Sequence, residues 1–417
     1  MASIRVLRTV RKAEYAELMA LFFIQGAALG TWFVPLSRVL DAHGLGQIRP
    51  FAFAASAVAA FVSPLIFGAM ADRHASPVKV LRGLSLATAA AMALASTAIH
   101  LNWGPWVVLA LIQLHALCSS PTFSISSTII FSRLEDARQE FGPIRALATI
   151  GWMSGCVLVS VIGADTSAMA GYSGSIMWLI VAAFTGFLKG VETPKSAENL
   201  SWHERLGLDA LTLLKNRDHR VIFITSSLFC IPLAAFYPYA PPHLRELGYT
   251  HTSAWMSLGQ VTEIIAMFAL GALILRWRLK WIIACGLGFG ILRFALSALN
   301  GKLAIMAGVM LHGCSYTLVT ITTQIYLEKR VDHAWRARAQ ALMSLMNSGV
   351  GNLVGYLGTG WWFSYCTRSK STNWSMFWAG LAVVVSLVMA NFLFTYRGRP
   401  VQSPDSTAAG QQKADSL

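Results

Sequence analysis

Glu263 lies near the middle of AWMSLGQVTEIIAMFALGALIL, Ala254 to Leu275, an unbroken apolar run apart from a few polar residues. At about 1.5 Å per helical residue, such a run crosses a hydrocarbon core of about 30 Å. A carboxylate at that depth costs about 3 kcal/mol on insertion scales unless it faces protein or an aqueous cavity, so such residues mark ion or substrate paths. Gln260, three residues earlier, shares its helix face. A second stripe is Arg145, Thr149 and Trp152, at i, i+4 and i+7. The arginine is a possible electrostatic partner for Glu263, and the indole offers a face for a ring to stack on; alternatively, Arg145 snorkels to the nearby surface. His312, Tyr316 and Thr320 follow i, i+4, i+8, with Thr317 beside them, and Tyr237 and Tyr239 precede Pro241 and Pro242, which should end or kink their helix. His115, and Gln25 with Trp32, are further cavity candidates. The chemistry open to this set is non-covalent: hydrogen bonding, stacking, and gain or loss of a proton at Glu263. Low dielectric favours the neutral acid and a neighbouring arginine the carboxylate, so alternating surroundings would couple protonation to solute movement. A structural ion pair is the alternative.

The elements that must position these residues are membrane helices. Hydrophobic residues make up 55% of the 417 and charged ones 12%, against about 25% charged in soluble domains. Twelve apolar runs are expected to form helices, near 16–40, 49–71, 79–99, 104–131, 143–163, 173–190, 220–240, 254–275, 280–299, 302–327, 340–364 and 373–395. Six fall on each side of the polar stretch Lys189 to Arg220. The expected organisation is a six-helix half over 1–189, a cytoplasmic linker over 190–219, a second half over 220–399, and a disordered polar tail over 400–417. From Ser201 the linker could form a surface helix with Leu206, Leu208, Leu211 and Leu214 on its apolar side.

Of the 33 Lys and Arg residues, Arg49, Arg245, Lys302, Arg368 and Lys370 fall in odd-numbered loops, and Arg38, Arg145 and Arg293 lie within or at the ends of spans. The rest lie in the termini and even-numbered loops, which places both termini in the cytoplasm and the chain in an inner, plasma membrane. This scatter also explains the net charge of +14 without a nucleic-acid partner. Cysteines 118, 156, 230, 285 and 314 sit in apolar runs without a CxxC spacing, so neither a disulfide framework nor a metal site is expected. No HExxH or GxSxG motif points to an enzyme, and no cofactor is expected. The basic N-terminus leads into a run that is long and lacks a small-residue cleavage site, which makes it a first membrane helix rather than a cleaved signal.

GAMADR, from Gly68, follows the second run, and GALILR, from Gly271, follows the eighth: an internal repeat at the same point of each half. Gly68, Asp72 and Arg73, with Lys79 and Arg82, resemble the loop signature of the major facilitator superfamily. That resemblance implies an all-α fold of twelve transmembrane helices in two pseudo-symmetric six-helix halves, with Gly68 allowing close helix approach and Asp72 and Arg73 forming a cytoplasmic gate. PIRALATIGW (Pro143 to Trp152), LGLDALTLLKN (Leu206 to Asn216), GQVTEI (Gly259 to Ile264), ILRFAL (Ile291 to Leu296) and the series from His312 to Gln340 resemble the nucleoside:proton symporter family within it. The resemblance implies alternating-access import of nucleosides with protons. It also implies substrate-binding roles for Arg145, Thr149, Gln260 and Glu263, to which Trp152, Tyr237, His312 and Tyr316 are added from their placement, with Glu263 and Arg145 as the proton-coupling pair. Its partners are the small solute, protons and the bilayer, and the expected state is a monomer. Ala234 and Tyr237 stand where the family pattern has amides, and Thr317 where it has an acid. A different ribosyl or sugar-like solute, uniport, efflux, and solute sensing without transport therefore stay open.

Overall fold

Proline, glycine and asparagine punctuate the apolar runs and fix where several helices start. Pro77 and Pro105 occupy the first turn of their helices, where a missing N–H costs nothing. The Asn216 side chain accepts from the amides of Asp218 and His219, and that of Asn373 from Met376, capping two others. The computed structural model describes residues 15–72, 76–135, 137–188, 201–368 and 371–398.

Among these residues twelve helical segments follow one another: α1 (Ala16–Ala42), α2 (Arg49–Asp72), α3 (Pro77–His100), α4 (Pro105–Phe131), α5 (Ala137–Val161), α6 (Met169–Phe184), α7 (Arg217–Glu246), α8 (Thr252–Arg276), α9 (Leu279–Ala298), α10 (Lys302–Arg330), α11 (His333–Ser344 continuing through Asn352–Cys366) and α12 (Trp374–Thr395); all but α2, α6 and α11 are by themselves long and apolar enough to cross a membrane. α2 runs through Gly68 to Asp72, but the side chains there, and Arg73, lie outside the described residues, and so does the expected cytoplasmic gate.

The helix pairings repeat with a shift of six. α1 packs on α5 and α6, α3 on α4 and α6, and α2 on α4; in the second half α7 packs on α11 and α12, α9 on α10 and α12, and α8 on α10. The halves meet where α2 touches α11 and α5 touches α8, which again exchange under the same shift. This is the arrangement that the resemblance to the major facilitator superfamily implies. Small residues set the closest approach: a Cβ on Gly26 or Gly30 of α1 would run into the carbonyl oxygens of Ala148 or Trp152 of α5, and one on Gly151 or Gly155 into those of Phe23 or Ala27.

Two local expectations are corrected. α7 is not ended at Pro241 and Pro242; its only irregularity is a tightened turn at Ala234–Ala235, between Arg217–Leu233 and Phe236–Glu246, where Pro238 has no N–H to bond the Ala234 carbonyl. Pro242 lacks the N–H that would bond the Pro238 carbonyl, and Ser37 Oγ of α1 donates to that oxygen at 2.5 Å instead. In the linker, two short pieces replace one helix: Trp202–Arg205 and a 3-10 turn Leu208–Lys215. Gly207, at φ +70°, takes the left-handed conformation between them, which no continuous helix allows.

Candidate functional site

At the junction of the halves lies a cavity of about 390 Å³, within the range of about 300–1,000 Å³ common for small-molecule sites. α5 presents Arg145, Thr149 and Trp152 to it, and α8 presents Gln260 and Glu263. α7 contributes Ala234 and Tyr237 beside its tightened turn, and α10 contributes His312 and Tyr316. The stripes on α5 and α8 therefore face one space from opposite halves.

Glu263 reaches this position because α10 comes very close to α8. A Cβ on Gly313 would collide with the Glu263 amide nitrogen and the Gly259 carbonyl oxygen, so only glycine permits the approach. The next turn of α10, Thr317–Ile321, is π-helical, an irregularity often found at functional positions. Arg145 and Glu263 line the same cavity from opposite halves, but among the described residues they form no direct ion pair. Arg145 instead stands over the ring of Phe123, 4.6 Å from its centroid. It does not snorkel away from the cavity.

Several polar atoms are left for a ligand. Gln260 donates through Nε2 to the Tyr237 hydroxyl at 3.0 Å, while its buried Oε1 has no partner among the described residues. Trp152 Nε1 is likewise unpartnered. Buried polar atoms are rarely left so unless water, an ion or a ligand serves them. Aromatic faces complete the walls: Tyr237 packs 5.2 Å from Phe33 and 5.9 Å from Trp152. The arrangement offers a cation, a carboxyl group, an amide acceptor, an indole N–H and ring faces, which suits a polar ring compound with several hydroxyl and carbonyl groups.

Behind His312 stands Arg293 of α9, 3% exposed. Its guanidinium donates to His312 Nδ1 at 2.6 Å and lies 4.6 and 4.8 Å from the rings of Phe236 and Phe294. Arginine has no acceptor, so His312 Nδ1 holds a lone pair and the ring proton sits on Nε2. Phe236 stacks on the same imidazole at 4.0 Å and 11°. His312 is thereby fixed as a neutral side chain with one defined donor.

Every residue expected to touch the solute lines the cavity, whereas the weaker candidates do not. Gln25 is buried and donates to Thr122 Oγ1 at 2.9 Å; His115 packs edge-on against Trp32 at 6.0 Å; Tyr239 stacks on Phe363 at 4.6 Å. Thr317 points at the backbone, with Oγ1 3.5 Å from the Glu263 carbonyl oxygen, and buried Thr320 is not among the lining residues. Phe123, Asn352 and Tyr356 line the cavity without having been singled out. Of these, Asn352 and Tyr356 carry a usable signal, their i, i+4 spacing, hidden in a glycine-rich run that reads as packing.

At the end formed by the α5–α6 and α7–α8 turns, the halves are bonded directly. Asp165 Oδ1 accepts from the Ser253 amide at 2.8 Å and from Thr252 Oγ1 at 3.3 Å at the start of α8. Ser160 Oγ accepts from the Ala254 amide at 3.0 Å, and His251 Nδ1 lies 3.0 Å from the Ser160 carbonyl oxygen. With Ser37 bonded to Pro238, α1 and α5 are held to α7 and α8 at this end.

Comparison with known proteins gives consistent results. A family model described as nucleoside H+ symporter matches residues 13–400. The putative nucleoside transporter YegT of Escherichia coli is 31% identical over 408 residues, covering 92% of this chain and 93% of that protein. The nucleoside permease NupG of Escherichia coli is 26% identical, covering 94% and 98%, and the xanthosine permease of the same organism 23%, covering 92% and 96%. The crystal structure of nucleoside transporter NupG superposes with a TM-score of 0.81 at 25% identity, covering 92% of this chain and 99% of that one.

Proposed function

This chain belongs to the nucleoside H+ symporter family, and on that premise we propose that it imports nucleosides together with protons by alternating access. It is a multi-pass membrane transporter and not an enzyme. The observation that carries the reading to the solute is the pair of facing stripes, Arg145, Thr149 and Trp152 on α5 against Gln260 and Glu263 on α8, around a cavity between halves.

In this reading Trp152 and Tyr237, packed on each other, together form an aromatic wall for the base, while Arg145 and Thr149 donate to its carbonyl groups or to ribose oxygens. The free Gln260 Oε1 and the Glu263 carboxyl group accept hydrogen bonds from ribose hydroxyls, and His312 supplies its fixed Nε2–H. Glu263 is the proton carrier. When it is ionised, Arg145 balances it across the cavity; when a proton arrives, that attraction is lost and the halves are freer to rearrange. Solute that bridges the two walls favours the exchange between states, as a carrier requires. The bonds joining α1 and α5 to α7 and α8 at the outer end support an inward-facing state; the basic residues gathered in the termini and even-numbered loops support cytoplasmic termini in an inner membrane, and in this reading the carrier acts as a monomer.

Reconstituted protein in proteoliposomes should accumulate labelled uridine, adenosine or xanthosine when a proton gradient is directed inward, and only equilibrate them without one. A panel of bases, pentoses and hexoses as competitors sets the solute class. Accumulation of none of the nucleosides, with competition by sugars against a labelled sugar, would overturn the assignment.

A further inference from the structure

A second concave site lies far from the first, at the junction of α8 and α9. Its lining residues are Arg276, Trp277, Arg278, Trp281, Ala284 and Cys285, around a volume of about 600 Å³. Trp277 and Arg278 are extended, so α8 stops and α9 starts within two residues. That tight corner brings Arg276 and Arg278 to one groove. Both are exposed, and neither has an acidic partner among the described residues. Lys280, by contrast, is engaged: its ammonium donates to the carbonyl oxygens of Leu393 and Tyr396 at 3.0 and 3.1 Å, tying the corner to the end of α12.

Three physical features converge on an anion here. Arg278 is the N-cap of α9, a helix of 20 residues, and offers no side-chain acceptor to the free first-turn amides. These amides and the helix dipole favour negative charge. Two unpaired guanidinium groups flank them, and guanidinium matches a phosphate diester with paired N–H groups. Trp277 and Trp281, 49% and 55% exposed, are of the type that settles at headgroup level. Below the basic rim the groove descends to Ala284 and Cys285, and Leu275, 87% exposed, stands beside it. A charged rim over an apolar floor on the lipid-facing surface fits an amphiphile rather than a free ion.

We propose that this groove seats the headgroup phosphate of an anionic phospholipid, with an acyl chain running along Ala284 and Cys285. It rests on the orientation proposed above, which puts the α8–α9 corner in the cytoplasmic leaflet, where anionic lipids attract basic residues. Occupancy would brace the corner that carries α8, the helix bearing Gln260 and Glu263.

Native mass spectrometry of the full chain, delipidated and supplied with phosphatidylglycerol, cardiolipin or phosphatidylcholine in detergent, tests the site without reading transport or sidedness. Its outcome is therefore independent of the solute assignment. The protein should retain the anionic lipids over phosphatidylcholine, and the double variant Arg276→Gln with Arg278→Gln should lose that preference about 25-fold, from about fivefold per basic residue. Arg276→Lys with Arg278→Lys should keep most of it, which separates charge from misfolding. Equal retention of all three lipids, an unchanged preference in the Gln variant, or displacement of the lipid by glycerol phosphate at equal concentration would overturn the proposal.

Discussion

The α5–α8 wall of the cavity and the α9–α10 layer behind it each contain an arginine at membrane depth, yet the two are used differently. Arg145 has a ring beneath it, a carboxylate across the cavity, and no direct ion pair among the described residues. Arg293 is closed in by Phe236, Phe294 and His312 and has no room to change partner. A buried cation left without a fixed partner is costly and persists where something else completes it during function. A cation packed between rings and an imidazole is a fixture, and it holds its neighbour in one tautomer. The cavity thus has one wall poised to change bonding and another that does not change.

The largest effect should come from destroying the approach that creates the movable wall. Gly313→Val puts a branched side chain against the backbone of Glu263 and Gly259, an overpacking cost of about 3 kcal/mol or more; the yield of folded protein in a detergent melting assay should collapse. Gly358→Ala, with nothing near its Cβ position, should leave it unchanged. Arg145→Ala removes a charge-assisted donor to the solute, worth about 1.5–3 kcal/mol. Nucleoside affinity should fall about 10–100-fold, while the melting temperature stays close to that of the parent. Unchanged affinity would mean that the two arginines are not different in kind.

Arg293→Met should give the opposite pattern: a lower melting temperature, from about 1–2 kcal/mol for leaving His312 Nδ1 without its donor, and a smaller loss of affinity than Arg145→Ala. Asp165→Ala should have the mildest effect. Removing its acceptor from the start of α8 costs about 1 kcal/mol, which shifts the balance about fivefold toward the outward-open state. Accessibility of cysteines placed along the outer ends of α1 and α7 reads that shift.

The twelve helices and the two halves are legible in the sequence because the bilayer demands long apolar runs and the chain repeats its order. The facing stripes are legible too, since Arg145, Thr149 and Trp152, and Gln260 and Glu263, recur at helical spacing. What is not legible is set by contacts between helices. Nothing local to ILRFAL says that Arg293 lies against His312, and Gly313 is one small residue among many until α8 is laid beside it. The tightened turn of α7 at Ala234 escapes notice because the proline pair downstream is the stronger sequence signal, and Ser37, from another helix, takes the Pro238 carbonyl oxygen that Pro242 leaves free. Gln25 and His115 are polar residues in apolar runs just as Gln260 and His312 are; only packing separates those that turn inward among their own helices from those that reach the cavity.

The most direct test of the account follows protons rather than nucleoside. Proteoliposomes loaded with a pH-sensitive dye, with no imposed gradient, are given external nucleoside, using wild-type protein and Glu263→Gln side by side. Wild-type vesicles should acidify inside as nucleoside enters; Glu263→Gln vesicles should show no acidification while still exchanging labelled for unlabelled nucleoside. Acidification of equal size in the variant would contradict the assignment of the coupling proton to Glu263.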